Sequence, residues 1–296
     1  MLRSLIYLSG LFSVLSSTSC NKTEAPVQSV DTTEDWYTIF ELDDQTWIFE
    51  EEASSQANVS YLIAGTERAV MFDSGTGENR GQDGSKIRYK IEEITDLEVT
   101  LLLSHFHFDH NQNVAEFDQV AFPELDFLVN AVDEQNIYHF KEKDLFLGAI
   151  PNQVEVTEWL PLETDIDLGD RTIQLINLPG HTDESVVVLD AENRLVFLGD
   201  FLYNGAIFIF DESDIEVYIE SFDKLISMID EDYILFGGHS TPGVSYNHLL
   251  NSRALLDCIQ NSDCYQESST VVFGMSATVY QSLDESATVL LIPTDG

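Results

Sequence analysis

Apolar positions along the chain fall into two kinds of pattern that alternate. Short, mostly apolar runs at 46–50, 59–64 and 69–72 predict strands, the last two joined as a hairpin through Gly65-Thr66-Glu67-Arg68. Asp73-Ser74-Gly75-Thr76-Gly77 then leaves the third run as a loop. From Lys86 to Ile94 the residues Ile87, Ile91 and Ile94 return at helical spacing. Residues 99–103 are continuously apolar over strand length, the mark of a strand covered on both faces. They deliver the chain straight into Ser104 and a run of histidines.

The second half repeats the alternation. A helix is expected over 130–140, and strands over 172–178, 186–189 and 195–198, the last ending at Gly199-Asp200. Ser213 and Glu216 have capping-box spacing, ahead of an amphipathic face traced by Ile215, Ile219, Phe222, Ile226 and Ile229. Residues 233–236 form another buried strand ending at Gly237-Gly238-His239. A helix over 248–259 and strands over 269–273 and 287–292 complete the chain. Strands followed by helix–strand alternation, twice over, argue for an α/β chain of packed sheets with helices outside. No internal repeat and no second linker interrupts residues 36–296, so this stretch reads as one domain, its final part a C-terminal extension.

Residues 1–19 read as a signal peptide: Arg3 is the only charge before Lys22, and an apolar stretch from Leu5 to Leu15 precedes small residues. Cys20 resembles the lipid-attachment cysteine of a bacterial lipoprotein, while Ser17 and Ser19 fit ordinary signal cleavage. Both outcomes place the protein outside the cytoplasm: a periplasmic or outer-membrane-anchored lipoprotein first, a soluble secreted protein second. Membrane contact is expected only through that anchor. Residues 20–35 are polar and aperiodic, a tether. In an exported chain Cys258 and Cys264 can pair across a short loop.

Composition adds one constraint. Of 296 residues, 53 are acidic and 13 are Lys or Arg, a formal net charge of −40. Such a surface repels polyanions over roughly 8–10 Å, which argues against a nucleic-acid partner and leaves a small-molecule substrate. The charge reads first as a solvated acidic surface; a cationic substrate or partner is the alternative.

Five of the seven histidines sit in loops that follow apolar runs: His105-Phe106-His107-Phe108-Asp109-His110, Pro179-Gly180-His181-Thr182 and Gly238-His239. Gly199-Asp200 ends a similar run. In an extended segment His105, His107 and Asp109 share one side, and a turn brings His110 round. Burying so many titratable groups is costly without a cation to pair with them. Imidazole with carboxylate suits Zn²⁺ and also accepts Fe or Mn. Phe106 and Phe108 are expected to wall such a site. His139 and His248 read as exposed or capping residues, and the stretch 140–159 as part of the site mouth.

These loops together resemble the metallo-β-lactamase-fold superfamily, over residues 35 to about 239. The resemblance implies an αββα sandwich with two metal ions at one edge. It puts His105, His107 and His181 on one ion and Asp109, His110 and His239 on the other, with Asp200 bridging. Asp73-Ser74-Gly75 resembles a loop that the family places beneath the metals. The implied chemistry is hydrolysis by a hydroxide held between the ions, with Asp109 orienting it. The bridging carboxylate is similar to the glyoxalase II and lactonase ligand set rather than to true β-lactamases. Tyr203, three residues after Asp200, matches a position where acyl-lactone hydrolases place a donor to the substrate carbonyl. The leading expectation is therefore an exported metallo-hydrolase of an ester, lactone or thioester. An exported phosphodiesterase or sulfatase and a β-lactam hydrolase follow. An iron-dependent redox enzyme or a non-catalytic metal-binding module stands as the alternative of another class.

Overall fold

The computed structural model describes residues 28–29, 36–78, 86–147, 153–261 and 264–292. The signal-peptide reading and Cys20 lie outside the described residues. So does most of the tether, except Gln28–Ser29, which pairs antiparallel with Thr38–Asp43.

Two sheets pack face to face. The first runs Gln28–Ser29, Thr38–Asp43, Thr46–Glu50, Val59–Ala64, Arg68–Phe72, Glu98–Leu102, Val120–Pro123 and Glu158–Leu160 in spatial order. The second runs Ile166–Asp167, Thr172–Asn177, Val186–Asp190, Leu195–Phe197, Ile234–Phe236 and Gly243–Val244. Each mixes antiparallel hairpins with a parallel step crossed by a helix. Ile87–Ile94 connects Arg68–Phe72 to its parallel neighbour Glu98–Leu102. Asp214–Met228 connects Leu195–Phe197 to its parallel neighbour Ile234–Phe236.

The period-two alternation of a strand explains why these runs are apolar throughout. In Val59–Ala64, Tyr61 and Ile63 face the second sheet, while Leu62 and Ala64 face the outer layer that contains Ile87 and Ile91. In Val186–Asp190, Val186 and Val188 point inward, while Val187 and Leu189 meet Ile215, Tyr218 and Phe222 of the long helix. The result is helix, sheet, sheet, helix: the αββα sandwich that the resemblance implied, built of the packed sheets with outer helices that the element order predicted. Tyr61 links the two sheets directly, its phenol donating to the Gly237 carbonyl at 2.5 Å from full burial.

Several expected elements differ. The helix expected over 130–140 is a single turn, Asp126–Val129, followed by the strand Ile137–His139 paired with Gln153–Glu155. Asp133 breaks it by accepting from the Gln135 and Ile137 amides, and Asn136 takes a left-handed φ of 59°. The capping box at Ser213 does not form. The Ser213 hydroxyl instead donates to Asp211 at 2.7 Å, and Ser213 itself has helical dihedrals, so its side chain does not reach the third amide. Beyond Tyr246–Asn261 lies a third sheet: Ile207–Ile209, Thr288–Leu291, Met275–Ser282 and Tyr265–Val272. Its strand Met275–Ser282 was not expected; only Ala277 of it is buried, so it carries little apolar alternation. Cys258 and Cys264 are bonded, with Cα atoms 5.8 Å apart, tying Tyr246–Asn261 to this sheet. Among the described residues no helix is long and apolar enough to cross a membrane.

Candidate metal centre

The carboxyl ends of the parallel strands meet at one edge, where an α/β architecture places its ligands. Arg68–Phe72 runs into Asp73, Glu98–Leu102 into His105, Leu195–Phe197 into Asp200, and Ile234–Phe236 into His239. His181 follows Thr172–Asn177 on the loop after Pro179. His105 and His107 lie on extended backbone. Asp109 and His110 are on a one-turn helix, Phe108–Asn111, rather than on an extension of it. Each of these eight residues is buried.

Their ligand atoms form groups within 4.8 Å: His105, His107 and His181; His105, His110 and Asp200; Asp109, His110 and His239. Nitrogens at about 2.0–2.1 Å from a tetrahedral ion are about 3.3 Å apart. His181 Nε2 and His107 Nδ1 are 3.0 Å apart, and His110 Nε2 and His239 Nε2 3.3 Å. Asp200 lies between the groups. Its Oδ1 is 3.2 Å from His110 Nε2 and 3.0 Å from His239 Nε2, and its Oδ2 is 3.7 Å from His181 Nε2. Asp109 Oδ2 is 3.5 Å from His239 Nε2.

The outer nitrogen of most rings faces a fixed acceptor, which sets the tautomer. His239 Nδ1 donates to the Gln56 carbonyl at 2.9 Å, and His181 Nδ1 to the Phe208 carbonyl at 3.1 Å. His110 Nδ1 donates to Asp73 Oδ2 at 2.8 Å. The Ser104 hydroxyl donates to the same oxygen and accepts from His105 Nδ1 at 3.0 Å. The inner nitrogens of His107 and His181, and those of His110 and His239, then face each other across the site. His105 Nε2 is fully buried without a hydrogen-bond partner. Five imidazoles and two carboxylates converge here across such short gaps, buried and with one nitrogen left unsatisfied, so this donor set fits divalent metal ions.

Electrostatics divide the set. Burial pulls the His105 and His107 imidazoles well below their usual range and His181 below it, keeping them neutral. At His110 the pull of burial is outweighed by the carboxylates of Asp200, Asp73 and Asp109, and at His239 by those of Asp200 and Asp109, so both rings are pushed above their usual range and a metal ion would displace protons from them. Burial pushes the Asp200 carboxyl up, but His239 and His110 hold it well below the usual carboxylate range.

Local backbone makes this approach possible. Gly238 carries no side chain because a Cβ there would lie 2.6 Å from Asp200 Oδ1. Asp73 sits at φ 68°, in the left-handed region, and from there also accepts the Ser104 amide at 2.6 Å. The loop 73–77 thus supports the histidine run from below. Glu51, buried behind it, accepts from Trp36 Nε1 and the Thr76 amide.

The pocket above the ligands is lined by Tyr203 and by Phe108, Phe146, Phe208, Phe210 and Phe273. The Tyr203 ring rests on His239 at 4.9 Å. Phe106 does not wall the site: its ring packs in the core, 4.7 Å from Phe122, because its position on the extended run points the other way. His139 is exposed beside Asp133. His248 faces the Tyr203 and Ser286 carbonyls at 3.1 and 3.3 Å, so it braces the loop that carries Tyr203. The expected mouth stretch contributes Phe146, while Trp159 joins the outer core. Phe208 and Phe210 escaped the sequence reading, although the alternation Ile207-Phe208-Ile209-Phe210 signals it: both isoleucines are buried, and the phenylalanines face the pocket.

A histidine–carboxylate centre at the edge of an αββα sandwich defines a metallo-hydrolase. The chain belongs to the metallo-beta-lactamase superfamily, whose family model matches residues 56–239. Acyl-coenzyme A thioesterase MBLAC2 of Homo sapiens is 26% identical over 221 residues, 68% of this chain and 79% of the relative. Hydroxyacylglutathione hydrolase GloC of Haemophilus influenzae is 27% identical over 202 residues, 63% of this chain and 86% of the relative. The solved metallo-beta-lactamase from Pontibacter korlensis shares the fold with a TM-score of 0.56 at 16% identity, across 76% of this chain and 100% of that one.

Proposed function

We propose that this protein hydrolyses an acyl ester or thioester with two divalent metal ions, zinc first, as an exported enzyme anchored through Cys20. One observation carries the reading: Asp200 stands between two ligand groups, within 3.0–3.7 Å of His110, His239 and His181. His105, His107 and His181 would hold one ion, Asp109, His110 and His239 the other, and Asp200 would bridge. Zinc ions so held would lower the pKa of a bound water to about 7 and polarise an acyl oxygen. The rest belongs to the chain. Asp109, at the pocket floor, orients the attacking water through its carboxylate. Burial and the Asp200 charge push the Tyr203 phenol well above its usual range, so it stays protonated and donates to the substrate carbonyl as charge builds there. The phenyl rings around it exclude bulk water. The thioester actions named for the two curated relatives support the acyl class over a phosphodiester or sulfate ester.

The test is a substrate panel with metal-loaded protein: a thioester, a lactone, an aryl ester, a phosphodiester and a cephalosporin, beside metal analysis. Thioester or ester turnover with two zinc ions per chain is expected, reduced by several orders of magnitude in Asp200→Ala. Turnover of the phosphodiester alone, or a single iron with no hydrolysis, refutes the proposal.

A further inference from the structure

Beside the metal pocket, and continuous with it through His107, His181, Phe146 and Phe210, lies a cleft of about 520 Å³. Its aromatic wall is ordered. Phe146 and Phe210 lie 4.8 Å apart, and each packs against His107, at 5.4 and 5.3 Å. Phe273, from the tip of the C-terminal hairpin, closes on Phe146 at 5.5 Å. Phe146 holds a φ of 59°, rare for a bulky side chain, so surrounding contacts impose its position. The rest of the lining is acidic: Glu142, Asp144, Asp183, Glu184, Asp211 and Asp214, with Lys143 the single Lys or Arg among the described lining residues.

Not all of these charges are free to act. Glu184 accepts from the Phe106 amide, and Asp144 from the Tyr138 phenol and the Lys141 amide. Asp183, Asp211 and Asp214 make no ion pair among the described residues. Partial burial, with Asp211 and Asp183 close by, pushes the Asp214 carboxyl up, while Asp211 accepts from the Ser213 amide and hydroxyl. Carboxylates without an ion-pair partner beside phenyl rings, in a cleft that opens on the metal pocket, suit a cation. The same wall opposes a phosphorylated leaving group.

We propose that the substrate carries a cationic group, a primary or quaternary ammonium, which sits between Phe146, Phe210 and the acidic wall of Asp183, Asp211 and Asp214 while its ester or thioester lies at the metal centre. This rests on the acyl-hydrolase reading above and narrows its substrate class.

Three thioesters test it on the full metal-loaded chain, with released thiol as the readout. They are acetylthiocholine, its uncharged 3,3-dimethylbutyl isostere and acetyl-coenzyme A. At low salt, kcat/KM for the cation should exceed that of the isostere by about tenfold, with the polyanion slowest. Raising ionic strength from about 0.01 to 1 M shortens the screening length from roughly 30 to 3 Å and should bring the three together. The ratio of cation to isostere should fall toward unity in Asp211→Asn/Asp214→Asn, and a loss of folded protein would not alter that ratio. Choline should bind the metal-free wild type in calorimetry and not the double variant. Equal turnover of cation and isostere, or faster turnover of acetyl-coenzyme A, overturns the cation proposal and leaves the acyl-hydrolase reading standing. No turnover of any thioester or of the other acyl substrates overturns both.

Discussion

Replacing Asp73 tests whether the metal centre depends on its supports. The Asp73 carboxylate accepts three hydrogen bonds: the Ser104 amide at 2.6 Å, the Ser104 hydroxyl at 2.8 Å and His110 Nδ1 at 2.8 Å. It is 1% exposed, so no water replaces it. In Asp73→Ala the Ser104 hydroxyl can rotate toward another acceptor, but the amide and the imidazole N–H cannot. Two buried donors left unsatisfied cost about 1–3 kcal/mol each. Alanine at φ 68° adds about 1 kcal/mol. The expected loss is thus about 5 kcal/mol, within the range that single-site changes reach when a buried network breaks. Asp73→Asn keeps one acceptor oxygen and tolerates the left-handed backbone, so about 2 kcal/mol is expected there. Loosened His110 and His105 rings should also weaken metal binding by 10–100-fold. Denaturant unfolding of metal-free protein gives the stability change, and competition with a chromophoric chelator gives the affinity. If both variants lose less than about 1 kcal/mol and bind zinc within threefold of wild type, Asp73 does not support the site.

Further outcomes follow from the same geometry. Tyr203→Phe should lower kcat by roughly 10²-fold with little change in KM, because the phenol donates mainly to charge that develops in the reaction; an equal rise in KM would make it a binding group instead. Reducing Cys258–Cys264, or replacing both by Ser, should cost about 2 kcal/mol, seen as a lower Tm with the metal centre unchanged. Burial pushes the Glu184 carboxyl from 4.5 up to about 7, so the folded state holds a proton that the unfolded state has lost between those values, and stability falls as pH rises through that window. Glu184→Gln, which keeps an acceptor for the Phe106 amide, should therefore raise Tm above pH 7 and leave it unchanged below about pH 4.5. Thermal unfolding across pH 4–8 checks the sign.

The sandwich was legible because its strands are covered on both faces. Burial on two sides turns alternation into continuous apolar runs, as in Val59–Ala64 and Val186–Asp190, and such runs are hard to mistake. Elements without that constraint were lost or misread. Thr38–Asp43, flanked on its outer side only by Gln28–Ser29, has no fully buried residue, and Met275–Ser282 buries one side chain, so neither imposes a period on its sequence. The expected helix over 130–140 failed for a local reason: one aspartate, Asp133, captured two amides that a helix needs for itself.

The candidate ligands were legible for a different reason, since they stand in the loops that follow where apolar strands stop. What holds them was not. Gln56 and Phe208 orient His239 and His181 through backbone carbonyls, and a carbonyl leaves no signature in residue type. Asp73 was read as a loop near the site, but its three bonds depend on a left-handed backbone that only the fold reveals. The same division separates chemistry from specificity. Phe146 arrives from a loop and Phe273 from a hairpin tip outside the family match, Asp183 from one turn, and Asp211 and Asp214 from another. In the sequence these acids were indistinguishable from the other fifty; placed against two phenyl rings and two ligand histidines, they set what the reaction centre can admit.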